Sequence, residues 1–169
     1  MGAVYFPGAP PSLTPAPRAF YDALREMIVA DPPPRLDGAR SSARFGRGGV
    51  GVTLAHAERK DWSIVALVRE RDAIVSVAST SKRFAAPTSP SPAGDPAWPF
   101  DVLDFVTEIL HGHVETRTTY RGETPISADH VLVGTTAAPI DLGRSNRLVP
   151  AQLFVWRAKR VEIVRAPFF

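Results

Sequence analysis

Trp62-Ser63-Ile64-Val65-Ala66-Leu67-Val68, Arg69-Glu70-Arg71-Asp72, Ala73-Ile74-Val75-Ser76-Val77-Ala78: these residues decide the fold. Two apolar, β-branched runs separated by a charged tetrad read as a β-hairpin. Both arms carry apolar side chains at odd and even positions (Ile64, Val65, Ala66, Leu67; Ile74, Val75, Val77). Strands of that kind are covered on both faces, so both arms are expected to be central in a sheet. Upstream, Val50 to Ala57 is a third apolar, β-rich run. Downstream, Val114 to Tyr120 is β-branched and alternating, and His130 to Val133 is short and apolar. Leu153 to Trp156 with Val161 to Val164 predicts a terminal hairpin.

Two helices interrupt this β-rich chain. Pro15 to Ala30 has Thr14 as a suitable N-cap, proline at the first helical position, and Phe20, Ala23, Leu24, Met27 and Ile28 at helical spacing. Pro32-Pro33-Pro34 stops it. The second helix is expected from Pro99 to Leu110, with Leu103, Val106, Ile109 and Leu110 as its buried stripe and Asp101 in the first turn, where the helix dipole favours a carboxylate. The order α-β-β-β-α-β-β-β-β makes an antiparallel β-sheet with two α-helices, an α+β single domain over residues 1–169. Proline clusters mark its irregular parts: an extended N-terminal arm over residues 1–13 and a Pro/Ser-rich internal loop over residues 85–97. The element order resembles that of secretion-chaperone folds and of several bacterial immunity-protein folds, at the level of fold alone.

Composition excludes a good deal. With 169 residues, 44% hydrophobic and 22% charged, the chain is an ordinary globular one that can bury a sizeable core. There is no cysteine, which removes thiolate zinc sites, cysteine nucleophiles and disulfides. No run approaches the ~18 apolar residues of a membrane helix, and the N-terminus has no signal-peptide pattern. A soluble cytoplasmic protein is the expectation. Twenty basic residues face seventeen acidic ones, and only Lys60, Lys82 and Lys159 are lysines. The basic residues are interleaved with acids, unlike the dense stripe of a nucleic-acid binder.

Few residues are placed for chemistry. Gly46-Arg47-Gly48-Gly49-Val50-Gly51 matches the spacing of a dinucleotide loop, but it leads into a strand where that loop needs a helix. His111, His113 and Glu115 stand at i, i+2 and i+4, a possible ligand set for zinc or iron(II) on a strand. His111 ends the helix, however, and Gly112 breaks the alternation, so no metal and no other cofactor is expected. His56 and His130 sit in or beside apolar strands and read as hydrogen-bonded sheet histidines. No serine elbow, Ser-x-x-Lys or Walker loop occurs, and catalytic residues are not legible.

A protein-interaction module that is not an enzyme, of the bacterial immunity (antitoxin) or chaperone kind, is therefore the leading expectation. A small-molecule enzyme or binding protein with a pocket between sheet and helices is the alternative, and a nucleic-acid binder the third. On the strand after the second helix, Arg117 and Arg121 alternate with weakly apolar residues. Arg157, Lys159, Arg160 and Arg165 decorate the terminal hairpin. If that hairpin lies beside the strand, the two pool into a basic patch whose complement is an acidic protein surface. Trp98 either caps the core beside the second helix or is presented as a binding anchor.

Overall fold

A computed structural model describes residues 6–46, 48–87, 97–134, 138–146 and 159–169. Its elements are α1 (Pro15–Ala30), β1 (Ser42–Gly46), β2 (Gly49–Leu54), a 3-10 turn (Lys60–Trp62), β3 (Ile64–Arg69), β4 (Asp72–Val77) and β5 (Thr80–Ala85). After these come α2 (Trp98–Leu110), β6 (His113–Arg121), β7 (Thr124–Val133), β8 (Ile140–Asn146) and β9 (Lys159–Pro167). The class is α+β. The strands form two antiparallel sheets, β1-β2-β3-β4-β5 and β8-β7-β6-β9.

The hairpin of Trp62–Ala78 is the middle of the first sheet, as its sequence predicts. Val68 pairs with Ala73 across a turn at Glu70-Arg71. Glu70 accepts a bond from the Ala16 amide (3.4 Å) at the start of α1, where a helix N-terminus favours a carboxylate. Both helices pack on one face of this sheet, α1 over β2 and β3 and α2 over β4 and β5. That face is the core: Val50, Val52, Leu54, Ile64, Ala66, Val68, Ala73, Val75 and Val77 meet Phe20, Leu24, Ile28, Val102, Val106 and Ile109. The other face departs from expectation. Val65 and Leu67 are 45% and 37% exposed, because both helices lie on the same side and no described element covers the reverse.

The N-terminal arm is tied down from Phe6 onward. Phe6 and Leu13 are buried, the Tyr21 hydroxyl donates to the Pro7 carbonyl (2.6 Å), and Arg18 donates to that of Pro10 (2.7 Å). Thr14 occupies the N-cap position of α1, although its hydroxyl makes no capping bond. α2 starts at Trp98, one residue earlier than expected, with Pro99 inside the first turn, where a missing N–H costs nothing. Of the internal loop at 85–97, residues 88–96 lie outside the described residues, as does the strand expected at Leu153 to Trp156.

The second sheet is anchored at one end only. Gly112 joins α2 to β6 in a space where a Cβ would stand 2.7 Å from a Leu132 methyl group. Val114, Leu132 and Leu142 are buried, and an aromatic cluster ties this end to the first sheet. In that cluster the Trp62 ring lies 5.5 Å from His56, 5.3 Å from His130 and 5.6 Å from Phe168. One continuous hydrophobic cluster therefore spans both sheets.

Candidate protein interface

Beyond its anchored end the second sheet runs out into solvent. From Thr116 to Arg121 and from Thr124 to Asp129 every residue keeps part of its surface in water, and Lys159 to Arg165 are all exposed. The backbone ladders and cross-strand pairs such as Thr116–Val164 and Thr119–Val161 join this stretch. β9 lies beside β6, so the condition for pooled basic residues is met. The register sets Glu115 opposite Arg165, Arg117 opposite Ile163, Thr119 opposite Val161 and Arg121 opposite Lys159.

Directly opposed residues share a face, so this register defines one. At its centre Val161 and Ile163 are 52% and 56% exposed. Around them stand Arg117, Arg121, Lys159 and Arg165. The Glu115 carboxylate is buried between two of these. Arg117 Nε donates to Oε1 at 2.7 Å, while Arg165 donates to Oε2 through Nε at 3.1 Å and through its terminal nitrogen at 3.0 Å. These bonds, first from Arg117 and then from Arg165, hold the Glu115 carboxyl below the usual carboxylate range. Its role is to orient two guanidinium groups that would otherwise swing freely.

The remaining sequence candidates divide. Arg160 is opposite Tyr120, with its guanidinium 4.7 Å from the ring centre. It therefore lies on the reverse face from Arg117 and Arg121, and the single patch expected from sequence is split by the strand's period of two. Lys159 takes the place that Arg160 was expected to fill. Trp98, the first residue of α2, is buried in the core at 6% exposure, which leaves it no surface to present. Arg157 lies outside the described residues. His113 and Glu115 share the β6–β9 face and line one cavity of about 350 Å³ with Val133, Gly134 and Arg165. His111 lines a different groove, with Asp104 and Glu108 on α2, apart from the cavity that His113 and Glu115 share. Both oxygens of Glu115 are already taken by guanidinium groups.

The Gly46–Gly51 segment turns β1 into β2, with Gly48 at φ +74° and no helix following, a geometry unlike a dinucleotide loop. A groove of about 420 Å³ beside α2 carries Asp101, Asp104 and Glu108, but they stand in a row along one helix rather than converging. A cleft of about 410 Å³ where the sheets meet holds one histidine, His130, and one acid, Asp61, between Arg59 and Arg144. Sequence reasoning read Val161 and Ile163 only as part of a terminal hairpin and did not single them out. The signal that could have exposed them is Lys159-Arg160 before them and Arg165 after, charges typical of an edge strand. No family model, curated protein or solved structure matches the chain.

Proposed function

We propose that the chain is a protein-interaction module, not an enzyme, which binds an acidic protein partner through the β6–β9 face. One observation carries the reading: Val161 and Ile163, both more than half exposed, are flanked by Lys159 and Arg165 along β9 and by Arg117 and Arg121 on β6. An apolar centre within a polar rim is the anatomy of a protein interface. Arginine at that rim favours carboxylate partners, with which it forms paired bonds. Rim charges act mainly on association rate and salt dependence, whereas the aliphatic centre sets how long the complex lasts. On this reading the chain is of the bacterial immunity (antitoxin) or chaperone kind.

The test is affinity purification with quantitative mass spectrometry, comparing the native chain with Arg121→Glu/Lys159→Glu. These two residues oppose each other and already carry like charges. Reversing both leaves that cross-strand repulsion unchanged, and a thermal melt checks that the variant is folded before the purification is read. An acidic protein retained by the native chain and lost by the variant is the expected result. The same proteins retained by both, from a folded variant, would overturn the assignment.

A further inference from the structure

Two of the four histidines meet where the sheets join. His56 follows β2 of the first sheet, His130 lies on β7 of the second, and both make edge contacts with the Trp62 ring. His56 has no exposed surface, being enclosed by Trp62, Phe168 and Phe169 with ring centres 5.5, 5.6 and 5.1 Å away. Phe168 is held at both of its backbone groups. Its amide donates to the Gly112 carbonyl at 2.9 Å, and its carbonyl accepts from His56 Nε2 at 2.7 Å. The end of β9 is thereby tied to the α2–β6 junction on one side and to the first sheet on the other. His56 Nδ1 is occupied as well, accepting from the Glu58 and Arg59 amides at 3.1 Å each. A second proton on the ring would set a donor against two donors in a space closed to water.

The charges around the pair oppose that proton more than they invite it. Arg59 stands over the Trp62 ring at 4.5 Å and repels a charge on either histidine. Arg35 repels one on His56, and Arg40 is bonded to the His56 carbonyl. Glu58 favours a charged His56, and Asp61 and Asp129 a charged His130, but Asp61 is already paired with Arg59 and Asp129 with Arg144. The rings that keep water from His56 also join the sheets, so hydrating a charged imidazole requires Trp62 and Phe168 to part. Val52, Ala66 and Val75 are covered by α1 and α2 instead. We infer that the sheets are joined by an acid-sensitive latch: protons taken up by His56 and His130 free Phe168 and unseat the second sheet from Trp62, while the helix-covered core stays folded. The latch and the partner face proposed above fail separately, because every contact in the latch lies within the chain.

Native-state amide exchange on the intact chain, read as protection relative to an unstructured peptide across a range of pH, tests the latch. The amides of Phe168, Glu58 and Arg59 report its opening, and those of Ala66 and Val75 report global unfolding. The latch amides should be less protected than the core amides throughout. Below about pH 6.5 their protection should fall roughly tenfold per pH unit for each histidine that gains its proton only in the open state. His56→Gln keeps a donor for the Phe168 carbonyl and has nothing to titrate, so it should reduce the slope to the share of His130. His56→Gln/His130→Gln should abolish it. A full slope retained by His56→Gln would overturn the inference. So would latch amides as protected as Ala66 and Val75, since the sheets would then part only on global unfolding, or latch protection that ignores pH. The comparison of latch and core amides in the native chain decides the matter even where a variant does not fold.

Discussion

His56 shows how one side chain can close a fold. Its Nε2 lies 2.7 Å from the Phe168 carbonyl, and its Nδ1 accepts bonds from the Glu58 and Arg59 amides, each at 3.1 Å. Only the neutral ring with its proton on Nε2 satisfies all three, so a second proton would displace two amide donors. Burial, the leading cause, holds His56 and also His130 below the ordinary imidazole value. In the unfolded chain both take up protons near pH 6.5. The unfolded state then binds more protons than the native state below that pH, and stability falls as pH drops from about 6.5 toward the lower native values. A second loss begins below about 4.5, because Glu115 and Asp61, lowered chiefly by bonds from Arg117 and Arg59, are protonated first in the unfolded chain. His56→Phe strands the three backbone groups and should cost about 2 kcal/mol, a Tm fall of roughly 4–8 °C at pH 7.5. It should also flatten the upper limb of the pH profile to the share carried by His130. Thermal melts from pH 7.5 to 4 check both effects, and an unchanged upper limb would show that His56 is not held neutral by these bonds.

Among the elements, what can be read from sequence tracks burial. β2, β3, β4 and both helices are legible because a sheet or helix facing the core must repeat its apolar residues at its own period. The strands that escaped notice are β1, β5 and β8, all at sheet edges. Their sequences, such as Thr80-Ser81-Lys82-Arg83 in β5, are polar because one side faces water. Their partners, not their composition, make them strands. Pairing of β9 with β6 was invisible for a related reason: Arg165 and Glu115 are fifty residues apart, and no local pattern encodes that register. Glu115 likewise looks like a metal ligand in sequence because its two arginine partners cannot be read from spacing. The same division predicts dynamics. Amides of Val52, Ala66 and Val75, under both helices, should exchange only on global unfolding. Those of Thr118, Ala128 and Glu162, at the solvated end of the second sheet, should open at a much lower free energy. Native-state hydrogen exchange measures both groups, and equal protection would mean that the second sheet is as firmly packed as the first.

At the scale of the whole molecule the chain is a packed body with a thin extension. Both helices cover one face of the first sheet, the Trp62 cluster bolts on the second sheet, and four strands then run beyond the shared core. Building that extension spends backbone ordering that no core repays, about 1–2 kcal/mol for each residue fixed. A bound partner that covers its aliphatic face would repay it. No long apolar helix occurs among the described residues, and their histidines and acids gather no group of three fit for a metal. The β6–β9 face is the surface proposed to bind a partner. The most direct measurement is site-specific photo-crosslinking in the cells that make the protein. A photoreactive residue at position 163 should capture one acidic protein, and capture should vanish with Arg121→Glu/Lys159→Glu. The same residue at position 67, on the open face of the first sheet, should capture nothing. A specific adduct from position 67 with none from position 163 would contradict the account.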